Sequence, residues 1–277
     1  MSSAAAERGS ALTAWCCLVG LSFRRLWWTW HTVAAVLLLA LVAVMVLGTS
    51  IWRYHDKGEW GWTAIGFTKT ILLGLYLSFL LPLLSLAFAS QTLGGEWEDR
   101  TLVWILMRPL ARPWVYLAKF VAAVPWTFGL TLGGWFLLGA LGGPHALSAT
   151  FELWPAAALG TLTYLCLFQL LGAAFRRSTI IGVAYAFVLE TLVGNMPGMV
   201  KRASVNFYSR CVLYDLAARA GLDQPAGTHK TGVVPEKAFF FLPVDGTTAI
   251  IVLLSAAVGL YLLGTVVFWR REYRDLT

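Results

Sequence analysis

The sequence predicts an all-α, polytopic membrane protein with six transmembrane helices, and three observations carry that expectation. Of the 277 residues, 58% are apolar or aromatic and only 13% are charged, about half the charged share of a soluble domain. The uncharged stretches Leu26–Trp52, Thr70–Gly95, Phe120–Phe151, Leu153–Phe175 and Gly246–Trp269 each exceed the roughly 20 residues that cross a bilayer core, and a sixth, Ser178–Val200, is interrupted only by Glu190. These blocks are continuously apolar, unlike the alternating walls of an outer-membrane barrel. The same composition excludes a soluble enzyme and a disordered chain. The net charge of +7 is spread between apolar blocks and forms no single stripe, so the membrane surface is the expected partner and nucleic acid is not.

Residues 1–30 form a cytoplasmic N-terminus and an interfacial elbow helix from about Ala11 to Trp30, because Leu, Phe and Trp interleave there with Arg24 and Arg25. The first apolar run starts late and lacks a small-residue cleavage site, so it is expected to stay in the protein as a span and not to act as a secretory signal. Spans 1 to 5 occupy 31–197. The second carries Pro82, a kink position, and the third carries Pro125 and ends in the turn signal Gly142, Gly143, Pro144. Arg176–Thr179 allows only a tight turn between the fourth and fifth spans. Residues 198–245 make an extracytoplasmic segment, and Tyr208, Cys211, Val212, Leu213 and Leu216 recur there at helical spacing, as for a short helix docked on the outer membrane face. Residues 246–269 are the sixth span and 270–277 a cytoplasmic tail.

With six spans both termini share one side. The proposed inner segments hold 12 Lys and Arg against 9 outside, and against 3 when only the short outer loops are counted, so the positive-inside rule puts both termini in the cytoplasm of an inner (cytoplasmic) membrane. Trp27, Trp28, Trp30, Trp52, Trp60, Trp62, Trp154 and Trp269 fall at span edges, where the ring and its N–H straddle the headgroups. The four cysteines offer no sensible intramolecular bridge.

The functional signal lies in the cytoplasmic connection from Gln91 to Lys119. Glu96, Glu98 and Asp99 precede the apolar residues Leu102, Val103, Ile105 and Leu106, and Arg108 follows. Acids in a first turn and a base in a last turn complement the helix dipole. Gly94 and Gly95 are expected to break the preceding span and Pro109 to end the short helix. The result would be a compact amphipathic helix at about 94–108, better suited to a protein groove than to an anionic leaflet.

On these residues the chain resembles the permease subunits of the ABC-2 superfamily of ATP-binding cassette transporters, of the type V exporter kind. Gly94, Glu96, Thr101, Leu102, Pro109, Arg112 and Lys119 match the family's pattern after the second span, while Arg100 stands where glycine is usual. The resemblance implies that 94–108 is a coupling helix seated in a separate cytoplasmic ATPase subunit through Gly94, Gly95, Glu96, Glu98, Asp99, Arg100, Thr101, Leu102 and Arg108. It also implies that two copies form the pore. No G-x-x-x-x-G-K-[ST] cradle is present, so ATP and Mg²⁺ are expected on that partner, with no cofactor, metal or catalytic residue on this chain.

Glu190 and Gln169 are the polar residues weighed for a translocation path. For Glu190 the other reading is a cap or hydrogen bond to a neighbouring helix, and for Gln169 interhelical hydrogen bonding. So few polar groups in the spans favour a hydrophobic or lipid-like cargo. The function expected is the permease subunit of an ATP-driven exporter. The alternative is an ATPase-driven mechanotransmitter or scaffold acting on an extracytoplasmic partner protein docked on 198–245.

Overall fold

A computed structural model describes residues 2–27, 29–57, 60–99, 110–192, 194, 200–222 and 244–271. Among these the regular structure is all helical, without strands, as an all-α polytopic membrane protein must be when no water is at hand to satisfy open backbone groups. Five helices are long and apolar enough to cross a bilayer, and a shorter apolar one joins them.

Helix α1 (Ser2–Trp27) precedes the spans. Its Leu18, Ser22 and Leu26 are buried at fourfold spacing, a stripe that lies against the start of the third span, where the Trp15 indole N–H donates to the Trp114 carbonyl at 3.0 Å. Helix α2 (Trp30–Lys57) is the first span. It buries Ala35, Leu39, Val42, Val46 and Ser50 and leaves Val33, Leu37, Leu41 and Val44 exposed. One stripe at spacings of three and four faces protein and the rest is left for lipid or a partner.

Helix α3 (Ala64–Glu98) runs 35 residues. It widens to π-helical turns over Thr68–Leu80, returns to α over Leu81–Ser90, and widens again over Gln91–Gly95. The first wide stretch ends just before Pro82, where in a regular α-helix the ring would meet the carbonyl four residues back. The sequence expectation that Gly94 and Gly95 break this helix is not met, because the helix passes through both to Glu98. A Cβ on Gly94 would lie 1.9 Å from the Ser178 hydroxyl oxygen, so this glycine admits the close approach of a neighbouring helix.

Helix α4 (Arg112–Gly142) follows, with Pro125 inside it. It turns at Gly143, whose φ of 100° suits glycine, into α5 (Pro144–Ala174). Helix α5 is the most buried span and its polar residues tie the bundle. The Trp135 indole donates to the Thr150 carbonyl at 3.0 Å, the Thr161 hydroxyl to that of Thr131 at 3.3 Å, and the Thr163 hydroxyl to the Leu253 carbonyl of the last span at 3.3 Å.

Helix α6 continues from Ser178–Tyr185 into a π-helical stretch at Ala186–Leu192. Its 15 described residues rise at most about 22 Å, short of the roughly 30 Å core. Among the described residues, five helices of spanning length and this shorter apolar helix occupy the positions of the six expected spans. After a 3₁₀ turn at Val200–Ala203 comes α7 (Val205–Arg219). Its helical nature agrees with the sequence. It is not docked on the outer face but inserted among the spans, with Phe207, Cys211, Val212 and Leu213 in the main core. Ser209 abuts Gly160, midway along α5, and the Arg210 guanidinium donates to the Ser78 hydroxyl, fourteen residues into α3, at 2.6 Å. The apolar face that suggested membrane-surface docking is satisfied by protein instead. Helix α8 (Gly246–Arg270) closes the fold.

Candidate functional site

The charged residues of the α3 terminus gather at the end of the bundle that also carries α1, the start of α4 and the end of α8. Because α3 continues through the glycines, Glu96 stands in its last turn and not in the first turn of a separate helix. There the partial negative charge of the helix C-terminus opposes a carboxylate, and Glu96 has only 4% of its side chain exposed. Compensation comes from two cations. The Lys119 ammonium on α4, 1% exposed, is ion-paired with Glu96, and the Arg25 guanidinium of α1 lies 3.4 Å from the same carboxylate oxygen. Arg25 also pairs with Asp99, whose side chain is 59% exposed. One cluster thus joins three helices, from an interior pair to a solvent-facing one.

A second set of contacts brings in α8. Arg112, at the start of α4, donates to the carbonyls of Trp269 at 3.2 Å and Arg271 at 3.0 Å, satisfying acceptors that the end of a helix leaves open. The Arg271 guanidinium lies 4.6 Å from the centre of the Trp97 ring, a cation–π contact back to α3.

Beside the cluster is a cleft of about 360 Å³, where Thr29, His31, Gln91 and Glu98 meet Arg25 and Glu96. The Gln91 amide donates to the Thr179 hydroxyl of α6 at 3.3 Å and lies 3.1 Å from the His31 ring nitrogen Nε2. Its lining continues at His31 into an apolar groove of about 370 Å³ between α2, α3 and α6, formed by residues such as Ala34, Leu38, Leu84 and Val183.

Of the residues singled out in the sequence, Gly94, Gly95, Glu96, Glu98 and Asp99 belong to the last turns of α3 or the residue after it. Arg100, Thr101, Leu102 and Arg108 lie outside the described residues, as does most of the expected helix at 94–108. Gln169 and Glu190 line neither the cleft nor the groove. Gln169 is fully buried and donates to the Tyr116 carbonyl of α4 at 3.2 Å. Glu190 is 1% exposed and serves the start of α7. Its carboxylate accepts from the Ser204 hydroxyl at 2.6 Å, the Asn206 amide at 3.0 Å, the Val205 amide at 3.2 Å and the Tyr185 hydroxyl at 3.1 Å. These bonds satisfy open donors of a helix inserted among the spans, where water cannot. Arg25 was legible only as part of a basic pair, and Gln91 and His31 carried no signal as a contact. The sign for Lys119, besides its place in the resemblance, was a lone cation at the edge of an uncharged run.

Residues 24–194 match the model of the ABC-2 family transporter proteins. The matched span runs from the Arg24–Arg25 pair past Glu190 and contains the whole cluster of Arg25, Glu96, Asp99 and Lys119. The chain is also similar to the probable ABC transporter permease protein NosY of Stutzerimonas stutzeri, at 29% identity over 198 residues, 70% of this chain and 67% of that protein.

Proposed function

Because this chain belongs to the ABC-2 family of transporter proteins, a family of ABC transporter membrane permeases, we propose that it is the permease subunit of an exporter that works as a homodimer with a separate cytoplasmic ATPase. In this reading the ATPase docks where α3 ends, on the segment that leaves at Asp99, and ATP and Mg²⁺ sit on the ATPase. The termini side of the bundle is then cytoplasmic and the membrane is the inner one. The observation that supports the coupling role most is the buried Glu96–Lys119 pair with Arg25 across it. A push on the segment beyond Asp99 meets α1 through Arg25 and α4 through Lys119, and α8 follows through Arg112 and Arg271. Packed interiors move as bodies more readily than they deform, so the cluster converts one docking contact into a concerted shift of helices.

The apolar groove between α2, α3 and α6 favours a hydrophobic or lipid-like cargo, entering between helices. Glu190 and Gln169 are read as structural groups outside that route.

The test is co-purification from native membranes in mild detergent. Glu98 is exposed on the last turn of α3, so Glu98→Lys reverses a surface charge without breaking the buried pair. Wild type is expected to bring down an ABC ATPase in stoichiometric amount. Glu98→Lys is expected to reduce that yield severalfold with an unchanged melting temperature. Absence of any ATPase with wild type would overturn the proposal.

A further inference from the structure

Within the bundle, α3 and α6 both leave regular α geometry where they meet. The π-helical stretch of α3 at Thr68–Leu80 touches that of α6 at Ala186–Leu192. Ser78 and Phe79 of the one line a cleft of about 190 Å³ together with Ala186 and Phe187 of the other. Wide turns mostly occur singly inside α-helices, and in α3 a local cause is at hand. Pro82 has no amide proton to give the Ser78 carbonyl four residues back. Around that gap the Leu81 amide donates to the Tyr76 carbonyl, and the Ser78 hydroxyl to the Leu73 carbonyl at 2.6 Å, each five residues back.

The two parts of α3 on either side of this point are held differently. Toward the helix start, the Tyr76 hydroxyl donates to the Thr131 carbonyl of α4, and its ring stands edge-on to Trp135 with centres 5.3 Å apart. At the gap itself, Arg210 of α7 donates to the Ser78 hydroxyl at 2.6 Å, and α7 is fixed in turn to Glu190 of the α6 wide turns through the Val205 and Asn206 amides. Beyond Pro82 the contacts with α5 and α6 are smooth. Gly94 lies against Ser178, Gly182 against Leu86, and Gly172 against the backbone of Ser90 and Gly94, so few side chains interlock there. The Gln91 amide reaches the Thr179 hydroxyl at 3.3 Å and the Ser178 hydroxyl the Ser90 carbonyl at 3.5 Å, both long for hydrogen bonds. The apolar groove lies along this same part and shares Leu83 and Val183 with the cleft at the wide turns.

We infer that α3 carries a built-in hinge at Ser78–Pro82, latched by Arg210, about which residues 81–98 move as a lever and change the width of the apolar groove. Helix bends concentrate at prolines and π turns, and a hinge needs only a few residues to absorb the change. The lever ends in Glu96, so a push on the ion-paired cluster turns it, and its glycine contacts let it slide past α5 and α6. The inference rests on the exporter reading for the source of the push and for what the groove takes. The hinge itself belongs to this chain and is measured without an ATPase.

The full-length chain, with Cys16 and Cys17 replaced by serine, is spin-labelled through Ala87→Cys on the lever and Phe151→Cys on α5. Distances are read by double electron–electron resonance in lipid nanodiscs. A control pair, Thr70→Cys with Ile180→Cys, leaves the lever out. Pro82→Ala returns a donor to the Ser78 carbonyl and is expected to narrow the lever distribution at least twofold. Arg210→Gln releases the latch and is expected to broaden it about twofold. Ser78→Ala removes the acceptor of that latch and serves, with the same result expected, where Arg210→Gln does not fold. The control distances should stay as in wild type. A Pro82→Ala distribution as wide as that of wild type would overturn the hinge, as would equal broadening of the control pair. Distributions of Arg210→Gln and Ser78→Ala that match wild type would overturn the latch. A failed hinge leaves an ATPase that co-purifies with wild type in place, and a chain without an ATPase can still show the hinge, so the two readings fail separately.

Discussion

Glu96 stands where an isolated carboxylate would be expelled, buried and at the negative end of a helix, and it persists because Lys119 and Arg25 neutralise it. A buried ion pair adds little net stability compared with apolar residues of the same shape, but removing one partner strands the other charge. Glu96→Gln is therefore expected to destabilise the protein by about 3–5 kcal/mol by leaving Lys119 unpaired. Glu96→Gln combined with Lys119→Met should recover most of that loss. Thermal unfolding of both variants in detergent checks this, and equal losses would mean that the pair is not the coupled unit described. The sequence marked Glu96 and, through the family pattern, Lys119. It could not tell that they touch, because 23 residues and a chain reversal separate them. Arg25 was read as one of the charges that orient the chain, and only its distance of 3.4 Å from Glu96 reveals the further role.

The positions of most spans were legible from uncharged length alone, since a bilayer allows few alternatives to a long apolar helix. Where the reading departed, a local rule met a tertiary contact. Gly94 and Gly95 read as breakers because glycine weakens an isolated helix. In the fold the lost propensity is offset by packing against Ser178, and the helix runs on. Gly94→Ala should accordingly lower the melting temperature through a steric clash, although alanine is the better helix former. Adding Ser178→Gly should restore much of it, and a stabilised Gly94→Ala single variant would refute the packing account. The apolar face of α7 was visible, but whether it met lipid or protein depended on Glu190, whose bonds to the start of α7 make insertion tolerable. Periodicity reports that a face is apolar and not what covers it.

At the scale of the whole molecule the two ends of the bundle differ in character. The end that carries the termini is knit by ion pairs linking α1, α3 and α4, with α8 tied to them through Arg112 and Arg271. The other end is shaped by the glycine turns at Gly61 and Gly143 and by aromatic rings such as Trp60 and Trp62. Under the proposed coupling role, the ion-paired end is the one that would receive the push and move as a body. The most direct measurement of this account is site-specific photo-crosslinking in native membranes, with the photoreactive residue at Asp99 and, as a control, at Trp60 on the opposite end. The account predicts that Asp99 captures an ABC ATPase, more strongly when ATP is present, and that Trp60 captures none. Capture of an ATPase from Trp60, or of none from Asp99, would contradict it.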